Sequence, residues 1–158
     1  MTRRRAAGPE AAWNARLPAL VTGFGLGAFI DGIVLHQVLQ WHHLVVKFES
    51  ADTVQGLQEN TFWDGIFHLV SWLIVLVGVL CVAARGAEVR AFGMRRFIGM
   101  LFVGFGTFNI VDQVVFHLAL QAHHIRMVEN YQLYDWTFFG FGIVLVAAGT
   151  ALGRQKRA

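Results

Sequence analysis

The sequence predicts an all-α membrane protein: a four-helix transmembrane bundle built from two tandem parallel helical-hairpin repeats, with both termini cytoplasmic. Three observations lead to this prediction. Hydrophobic residues make up 56% of the 158-residue chain, which is more than an ordinary soluble domain contains. Four apolar runs have the length needed to cross a bilayer core of roughly 30 Å. In addition, the segment from Asp31 to His43 recurs 81 residues later, from Asp112 to His124.

The elements follow from the apolar runs, taken in chain order. Residues 1–16 are basic and contain proline and glycine, so we expect a short cytoplasmic tail, and residues 154–158 form a second basic tail. The transmembrane domain is expected at 17–153, with the first repeat at about 17–84 and the second at about 95–153. The predicted spans are 17–43, 61–84, 97–120 and 136–152. Each repeat therefore consists of two membrane-crossing helices.

The distribution of positive charges predicts the orientation. Eleven of the 13 lysine and arginine residues lie in the two tails and in the connection between the second and third spans. Only Lys47 and Arg126 lie in the other two connections. Cytoplasmic loops carry the excess of lysine and arginine in membrane proteins, so both termini are expected to be cytoplasmic. The charges form no basic stripe interleaved with aromatic residues, which argues against nucleic acid as a partner and leaves the lipid bilayer.

The recurring segment is the candidate site. It reads DGIVLHQVLQWHH in the first copy and DQVVFHLALQAHH in the second, and the two copies contain six of the 7 histidines. The remaining histidine, His68, has Asp64 one helical turn before it. Counting about 1.5 Å per residue along each span places these side chains near the outer membrane face. Ionisable groups inside a membrane are costly and usually mark function, so we interpret this layer as a binding site.

Metal binding is the function that this layer favours, because a shared cation offsets the cost of burying several imidazoles and carboxylates. The chain has 1 cysteine, so the ligands must be nitrogen and oxygen atoms. On a helical wheel at about 100° per residue, His36 and His43 share one face, whereas Asp31 and His42 share another. The wheel leaves open which face binds the metal. The metal ligands are expected to be His36, His43, His68, His117, His124 and Asp64. The residues expected to orient these ligands, or to replace them, are Asp31, His42, Asp112, His123, Gln40, Gln121 and Asp135.

The ligand types favour a transition metal, with copper or iron first and zinc as a further candidate. The two symmetric copies suggest a dinuclear centre with a redox or metal-handling role. The corresponding enzyme class is a membrane metal-dependent oxidoreductase, although the pattern leaves open whether the chain is an enzyme. The main alternative is a b-type haem electron-transfer protein, in which His36 and His117 are the axial ligands of haem b. Further alternatives are a proton or ion conduit, a zinc hydrolase, and a non-catalytic membrane subunit or assembly factor. Respiratory or metal-handling membrane proteins are the expected partners.

Three stretches resemble a family of small bacterial predicted membrane proteins that is catalogued as a domain of unknown function. They read GFGLGAFIDGIVLHQVLQWHH, NTFWDGIFH and RRFIGMLFVGFGTFNIVDQVVFHLALQAHH. The resemblance covers about residues 21–152 and implies four membrane helices. With a bacterial source, the expected location is the inner (cytoplasmic) membrane. The resemblance implies no reaction and no site residues, so the ligand prediction depends on the residues alone.

Overall fold

The computed structural model of this chain describes the backbone of residues 9–154 and the side chains of residues 13–154. Across this range the secondary structure is helical, with no strand, which confirms the all-α prediction. The helices are α1 (Pro9–Asp31), α2 (Val54–Ala84), α3 (Gly86–Phe92), α4 (Met94–Asp112) and α5 (Tyr131–Gly153). A π-helical segment follows α1 at Gly32–Val38, and another follows α4 at Gln113–Ala119. The tail cations Arg3, Arg4, Arg5, Lys156 and Arg157, used to predict the topology, lie outside the described residues.

Four helical stretches in the described range are long and apolar enough to cross a membrane, which confirms the predicted number of spans. They cover Trp13–Val38, Val54–Ala84, Met94–Ala119 and Tyr131–Gly153. All four of these helices begin earlier than expected, and α4 begins at Met94 rather than at residue 97. α1 begins at Pro9, within the predicted tail, and α5 begins at Tyr131 rather than at residue 136. α2 begins at Val54 because Thr53 caps it, with the Thr53 Oγ1 atom accepting a hydrogen bond from the Gly56 N–H at 3.0 Å.

The long helices pack side by side in the order α2, α1, α4, α5. Helix α1 contacts α2 on one side and α4 on the other, and α4 also contacts α5. In the apolar stretch that begins in α1, 50% of the residues are buried, against 11% in α2. Because α1 and α4 lead into the two copies of the recurring segment, this order places both copies at the centre of the protein.

Glycine lets α1 and α4 approach closely where they cross. A Cβ atom on Gly23 would lie 2.1 Å from the backbone oxygen of Leu101, and a Cβ on Gly104 would lie 2.2 Å from that of Leu20. Both distances are far below van der Waals contact, so a side chain at either position would push the helices apart. Small residues allow close backbone approach at other membrane-helix interfaces in the same way. The close crossing brings the two copies of the recurring segment together.

Replacing Gly104 by alanine is expected to destabilise the protein, because the added Cβ collides with backbone rather than with a movable side chain. Overpacking of this kind costs about 1 to 3 kcal/mol. The matched control is Gly140→Ala in α5, where nothing lies within 4 Å of the added Cβ. This control should be neutral, or stabilising by up to about 1 kcal/mol. Circular dichroism during unfolding by heat or SDS measures both, and equal unfolding midpoints would contradict the role of Gly104.

Candidate metal centre

Both copies of the recurring segment leave the α-helical path directly after their aspartate. The helix widens into a π-helix, whose hydrogen bonds join residues five apart. In the first copy Leu39 N–H donates to Val34 O at 2.8 Å, and the second copy has the same bond at the equivalent residues. π-Helical segments are rare and are frequent at functional sites. A wheel drawn at the α-helical angle therefore does not give the directions of His36 and His117, which lie in these segments.

Gln40 and Gln121 follow the two π-helical segments with left-handed backbone conformations, at φ +50° and +49°. This conformation costs a residue with a side chain roughly 1 to 2 kcal/mol, and its use at equivalent positions indicates a constraint on the chain that follows. His42 and His123 consequently lie beyond the helices and turn inward, where both are buried. The side chains of the two glutamines are exposed rather than buried with the histidines.

The aspartate and two histidines of each copy meet as a buried cluster. The wheel separated His36 from Asp31 and His42, and the π-helical path brings the three together. Within each cluster, one ligand atom per residue lies within 4.8 Å of the others, and no member is more than 7% exposed. The first cluster consists of Asp31, His36 and His42, and the second cluster consists of Asp112, His117 and His123.

A buried carboxylate on α2 fixes the helical histidine of the first cluster. Asp64 Oδ1 accepts hydrogen bonds from His36 Nδ1 at 2.8 Å and from Leu44 N–H at 2.9 Å. Asp64 Oδ2 accepts a third bond from His43 Nδ1 at 2.6 Å. Phe67, also on α2, stacks on the His36 ring at a centroid distance of 5.5 Å. The His36 ring is therefore held both at its edge and on its face.

Asp135 on α5 has the same role in the second cluster. Its Oδ1 atom accepts hydrogen bonds from His117 Nδ1 at 3.0 Å and from Ile125 N–H at 2.9 Å. Its Oδ2 atom accepts a bond from His124 Nδ1 at 2.8 Å. Phe138 stacks on the His117 ring at 6.1 Å, with an interplanar angle of 2°. The two copies thus position their helical histidines by matching contacts.

The other two cluster histidines are each held by the opposite copy. His42 Nδ1 donates to the backbone oxygen of Ile125 at 2.9 Å, and His123 Nδ1 donates to that of Leu44 at 3.1 Å. The rings of His42 and His123 stack on each other, with centroids 4.5 Å apart and an interplanar angle of 9°. The two clusters therefore lie directly against each other.

These contacts determine which nitrogen of each cluster imidazole is free. A neutral ring that donates through Nδ1 has a lone pair at Nε2. His36 Nε2 lies 3.6 Å from Asp31 Oδ2, and His117 Nε2 lies 3.1 Å from Asp112 Oδ2. Neither Nε2 atom, nor that of His42, has a hydrogen-bond partner among the described residues. A lone pair facing a carboxylate is repulsive unless a cation or a proton lies between them, so these groups could hold a metal ion.

The carboxylates of the site have no lysine or arginine partner in the described part of the chain. All their ion pairs are with histidine. The two cations of the nearby connections are used elsewhere: Lys47 Nζ donates to the Leu120 backbone oxygen, and Arg126 donates to the Tyr134 hydroxyl. The four buried carboxylates are those of Asp31, Asp64, Asp112 and Asp135. A buried negative charge without a counter-ion is costly, so this region favours a bound cation.

His42 and His123 lie outside the membrane-length helices, and their surroundings keep them neutral. Burial lowers the pKa of His42 well below its usual value, and the neighbouring His123 and His36 rings lower this pKa further. Burial likewise lowers the pKa of His123 to about 4, against the opposing effect of Asp112. Neutral imidazole is the form of histidine that binds metals.

The other expected ligands lie around the two clusters. The side chains of His43 and His124 are 13% and 20% exposed, and each uses Nδ1 to hold the carboxylate that orients the helical histidine. His117, His124 and Asp135 also bring ligand atoms within 4.8 Å of one another, and hydrogen bonds already join them. His68 donates through Nδ1 to the backbone oxygen of Asp64 at 2.8 Å.

The sequence-based prediction omits some groups that position the site and assigns too small a role to another. Asp135 was expected as an accessory residue, whereas its contacts match those of Asp64. The sequence does contain a pattern that indicates their equivalence: each aspartate directly follows an aromatic residue and is followed three residues later by a phenylalanine. The backbone oxygens of Leu44 and Ile125, which hold the inner histidines, have no signal in the sequence.

In metal-free protein, His42 and His123 are expected to carry their proton on Nδ1 and to stay neutral at pH 6. An unfolded histidine has a pKa of about 6.5, whereas the pKa of His123 in the folded protein is about 4. The stability that this difference contributes is complete above about pH 6.5 and is lost as the pH falls toward 4. Nitrogen-15 NMR of histidine-labelled protein reports tautomer and charge. A protonated His123 at pH 6 would contradict the neutral state, and a neutral ring with its proton on Nε2 would contradict the hydrogen bond from Nδ1.

A family model described as a predicted membrane protein (DUF2243) matches residues 18–156 of the chain. No curated protein matches, and no solved structure matches. The match covers all four membrane-length helices and both clusters.

Proposed function

The chain belongs to the DUF2243 family of predicted membrane proteins, and we propose that it is a membrane metalloprotein whose two clusters hold a dinuclear transition-metal centre. The observation that carries this proposal is the convergence of imidazole nitrogens and carboxylate oxygens that lack hydrogen-bond partners in both clusters. These buried atoms are acceptors that lack donors, and a cation satisfies several of them at once. Histidines whose second nitrogen is fixed by a carboxylate or a backbone carbonyl are typical metal ligands.

We assign the ligands to the residues of the two clusters. This assignment differs from the one that the helical wheel favoured. His36 and His117 stay ligands, and His42 and His123 replace His43 and His124. The proposed ligands are Asp31, His36 and His42 at one position and Asp112, His117 and His123 at the other. The residues that orient them are Asp64, His43, Asp135 and His124. This division is supported by the Nε2 atoms of His36, His42 and His117, which lack hydrogen-bond partners, and by the hydrogen bonds that the orienting residues make.

Iron is the metal that this ligand set fits best. Two histidines and one carboxylate, with coordination positions left open, are typical of non-haem iron centres. Copper is the next candidate because imidazole also suits it, and zinc follows. The soft ligands that select copper(I) are not available here, since Cys81 lies near the opposite end of α2 and Met127 is exposed.

The charges of the site support two ions rather than one. Metal ligands must be deprotonated, so in the metal-bound form the four buried aspartates would carry four negative charges, which two divalent cations would neutralise. The matching contacts of the two clusters also give each ion an equivalent set of ligands. One ion shared by both clusters would leave half of the carboxylate charge without a counter-ion in a buried region, which is costly.

A redox role fits the site better than metal delivery. The ligand histidines are buried and held by hydrogen bonds and ring stacking, so the site favours retention of its metal over rapid exchange. We therefore infer that the protein is a membrane metal-dependent oxidoreductase, or the redox subunit of one, with respiratory membrane proteins as partners.

Packing around the histidines does not favour the haem alternative. A haem between His36 and His117 would need a slot as wide as a porphyrin. The stacked rings of His42 and His123 occupy that region instead, with the ring centroids of His36 and His42 4.5 Å apart and those of His117 and His123 4.8 Å apart. Haem would have to displace both inner histidines together with the loops that carry them.

The protein lies in the membrane with the metal centre toward one face, and we propose that this face is the outer one. The centre is close to the connections after α1 and α4, which are poor in lysine and arginine, whereas the connection between α2 and α4 is rich in arginine. By the positive-inside rule both termini are cytoplasmic. In a bacterium the membrane is then the inner one.

Protein purified without a histidine tag is expected to contain about two transition-metal ions per chain. Iron or copper should dominate, and haem should be absent. Elemental analysis, electron paramagnetic resonance and the optical spectrum measure this, and a Soret band would favour haem. Less than one ion per chain would contradict the proposal and favour a non-catalytic subunit.

Substitution of single carboxylates is expected to distinguish metal ligands from the residues that orient them, because the two roles affect metal count and metal affinity differently. Asp31→Asn should abolish binding of one ion, because it removes a ligand. Asp64→Asn should lower affinity by about 10- to 100-fold without changing the metal count at saturation, as loss of an orienting partner does elsewhere. The control Asp52→Asn makes the same charge change at an exposed residue and should change neither quantity. Metal titration measures all three, and equal effects of Asp31→Asn and Asp64→Asn would contradict the division of roles.

The orientation can be tested with cysteines placed in two connections. In a Cys81→Ser background, Ser50→Cys lies beside the metal centre and Ala87→Cys lies in the arginine-rich connection, and both positions are exposed. A membrane-impermeant maleimide should label Ser50→Cys in intact spheroplasts and Ala87→Cys only after permeabilisation. The opposite pattern would place the centre on the cytoplasmic side.

A further inference from the structure

The two halves of the site differ at one pair of matched positions. One turn before His36 and His117, on the same face of each segment, lie Gly32 and Gln113. A π-helical turn is only slightly longer than an α-helical one, so residues four apart remain neighbours, and both positions lie about one turn before a proposed ligand. Gly32 has no side chain, whereas Gln113 has a long amide side chain.

In the first half, an imidazole from α2 fills the space beneath the ligand. His68 lies one turn from Asp64, and a Cβ atom on Gly32 would be only 2.7 Å from His68 Nε2. The absence of a side chain at Gly32 is therefore what lets the His68 ring fit. His68 Nδ1 donates to the Asp64 backbone oxygen at 2.8 Å, which leaves Nε2 as the ring nitrogen that faces the space beside Gly32. This atom is buried and has no partner among the described residues.

In the second half, the polar side chain is carried by the other helix. The counterpart of His68, one turn from Asp135, is Phe139, which has no polar atom. Gln113 is 0% exposed, and neither its Oε1 nor its Nε2 atom has a hydrogen-bond partner in the described part of the chain. A buried amide without partners is costly, so a ligand that pairs with it is favoured.

We infer that the two metal positions are inequivalent and that the second position binds a small ligand that accepts a hydrogen bond from the Gln113 amide. This inference rests on the proposed metal centre. Small anions and oxygen-bearing molecules are the chemical class of ligand, because they coordinate metals and accept hydrogen bonds. In the first half, the His68 ring already uses Nδ1 for the Asp64 backbone oxygen, so its Nε2 atom suits a ligand that still carries a proton, such as water.

Azide distinguishes the two positions because it binds metals and accepts hydrogen bonds but has no proton to donate. With cobalt(II) as a spectroscopic probe in both positions, azide is expected to bind in two steps, the tighter one at the second position. A hydrogen bond to a charged group is worth about 1.5 to 3 kcal/mol, which corresponds to at least tenfold in affinity. Gln113→Leu should therefore weaken the tighter step by about tenfold or more.

The matched variants act on the first half. His68→Phe copies the residue at position 139 and removes an acceptor that favours bound water over azide, so it should leave the tighter step unchanged and strengthen the weaker step less than His68→Gln does. His68→Gln introduces an amide beneath the first position and should strengthen the weaker step, so the two affinities converge. This gain also keeps the test decisive if Gln113→Leu folds poorly.

Two kinds of failure are distinguishable. Absence of cobalt binding at two equivalents would overturn the metal centre, and this inference with it. Full cobalt binding with one azide affinity, or with affinities that do not respond to Gln113→Leu and His68→Gln, would overturn the inequivalence while leaving the metal centre intact.

Discussion

The hydrogen bonds at Nδ1 of the four cluster histidines are the interaction on which the rest of the site depends. Two of these bonds go to the buried carboxylates of Asp64 and Asp135, and two go to backbone oxygens of the opposite connection. Each bond fixes both the direction of a ring and the nitrogen that keeps its lone pair. Without them, His36 and His117 could rotate or change tautomer, and the nitrogens would no longer face the carboxylates of their clusters.

The geometry of the helices brings the partners of these hydrogen bonds together. The glycine crossing at Gly23 and Gly104 brings α1 and α4 close, so that the two connections reach each other. The π-helical segments and the left-handed conformations of Gln40 and Gln121 then turn the chain inward. Each of these features is unfavourable in an ordinary helix, and their matched occurrence in both copies indicates that the site compensates their cost.

The fold could be predicted from the sequence more fully than the site. The length of the apolar runs sets the number of spans, and the duplicated segment marks the polar layer. The pairing of His36 with Asp31 and His42 could not be predicted, because it requires the π-helical path, and hydrophobic periodicity does not encode that path. The equivalence of Asp135 and Asp64 could not be predicted from the 81-residue repeat. The second connection is shorter than the first, so Asp135 lies closer along the chain to His117 than Asp64 does to His36.

The two copies cannot act as independent sites. His42 depends on the Ile125 backbone oxygen and His123 on that of Leu44, so one hairpin alone would leave its inner histidine without the bond that fixes it. A buried donor without a partner is costly, which makes each half complete only in the presence of the other. A change in one connection must therefore reach both clusters through these crossed bonds. Such coupling suits the dinuclear centre that we propose, and it allows the two proposed positions to differ in their surroundings while their proposed ligands stay matched.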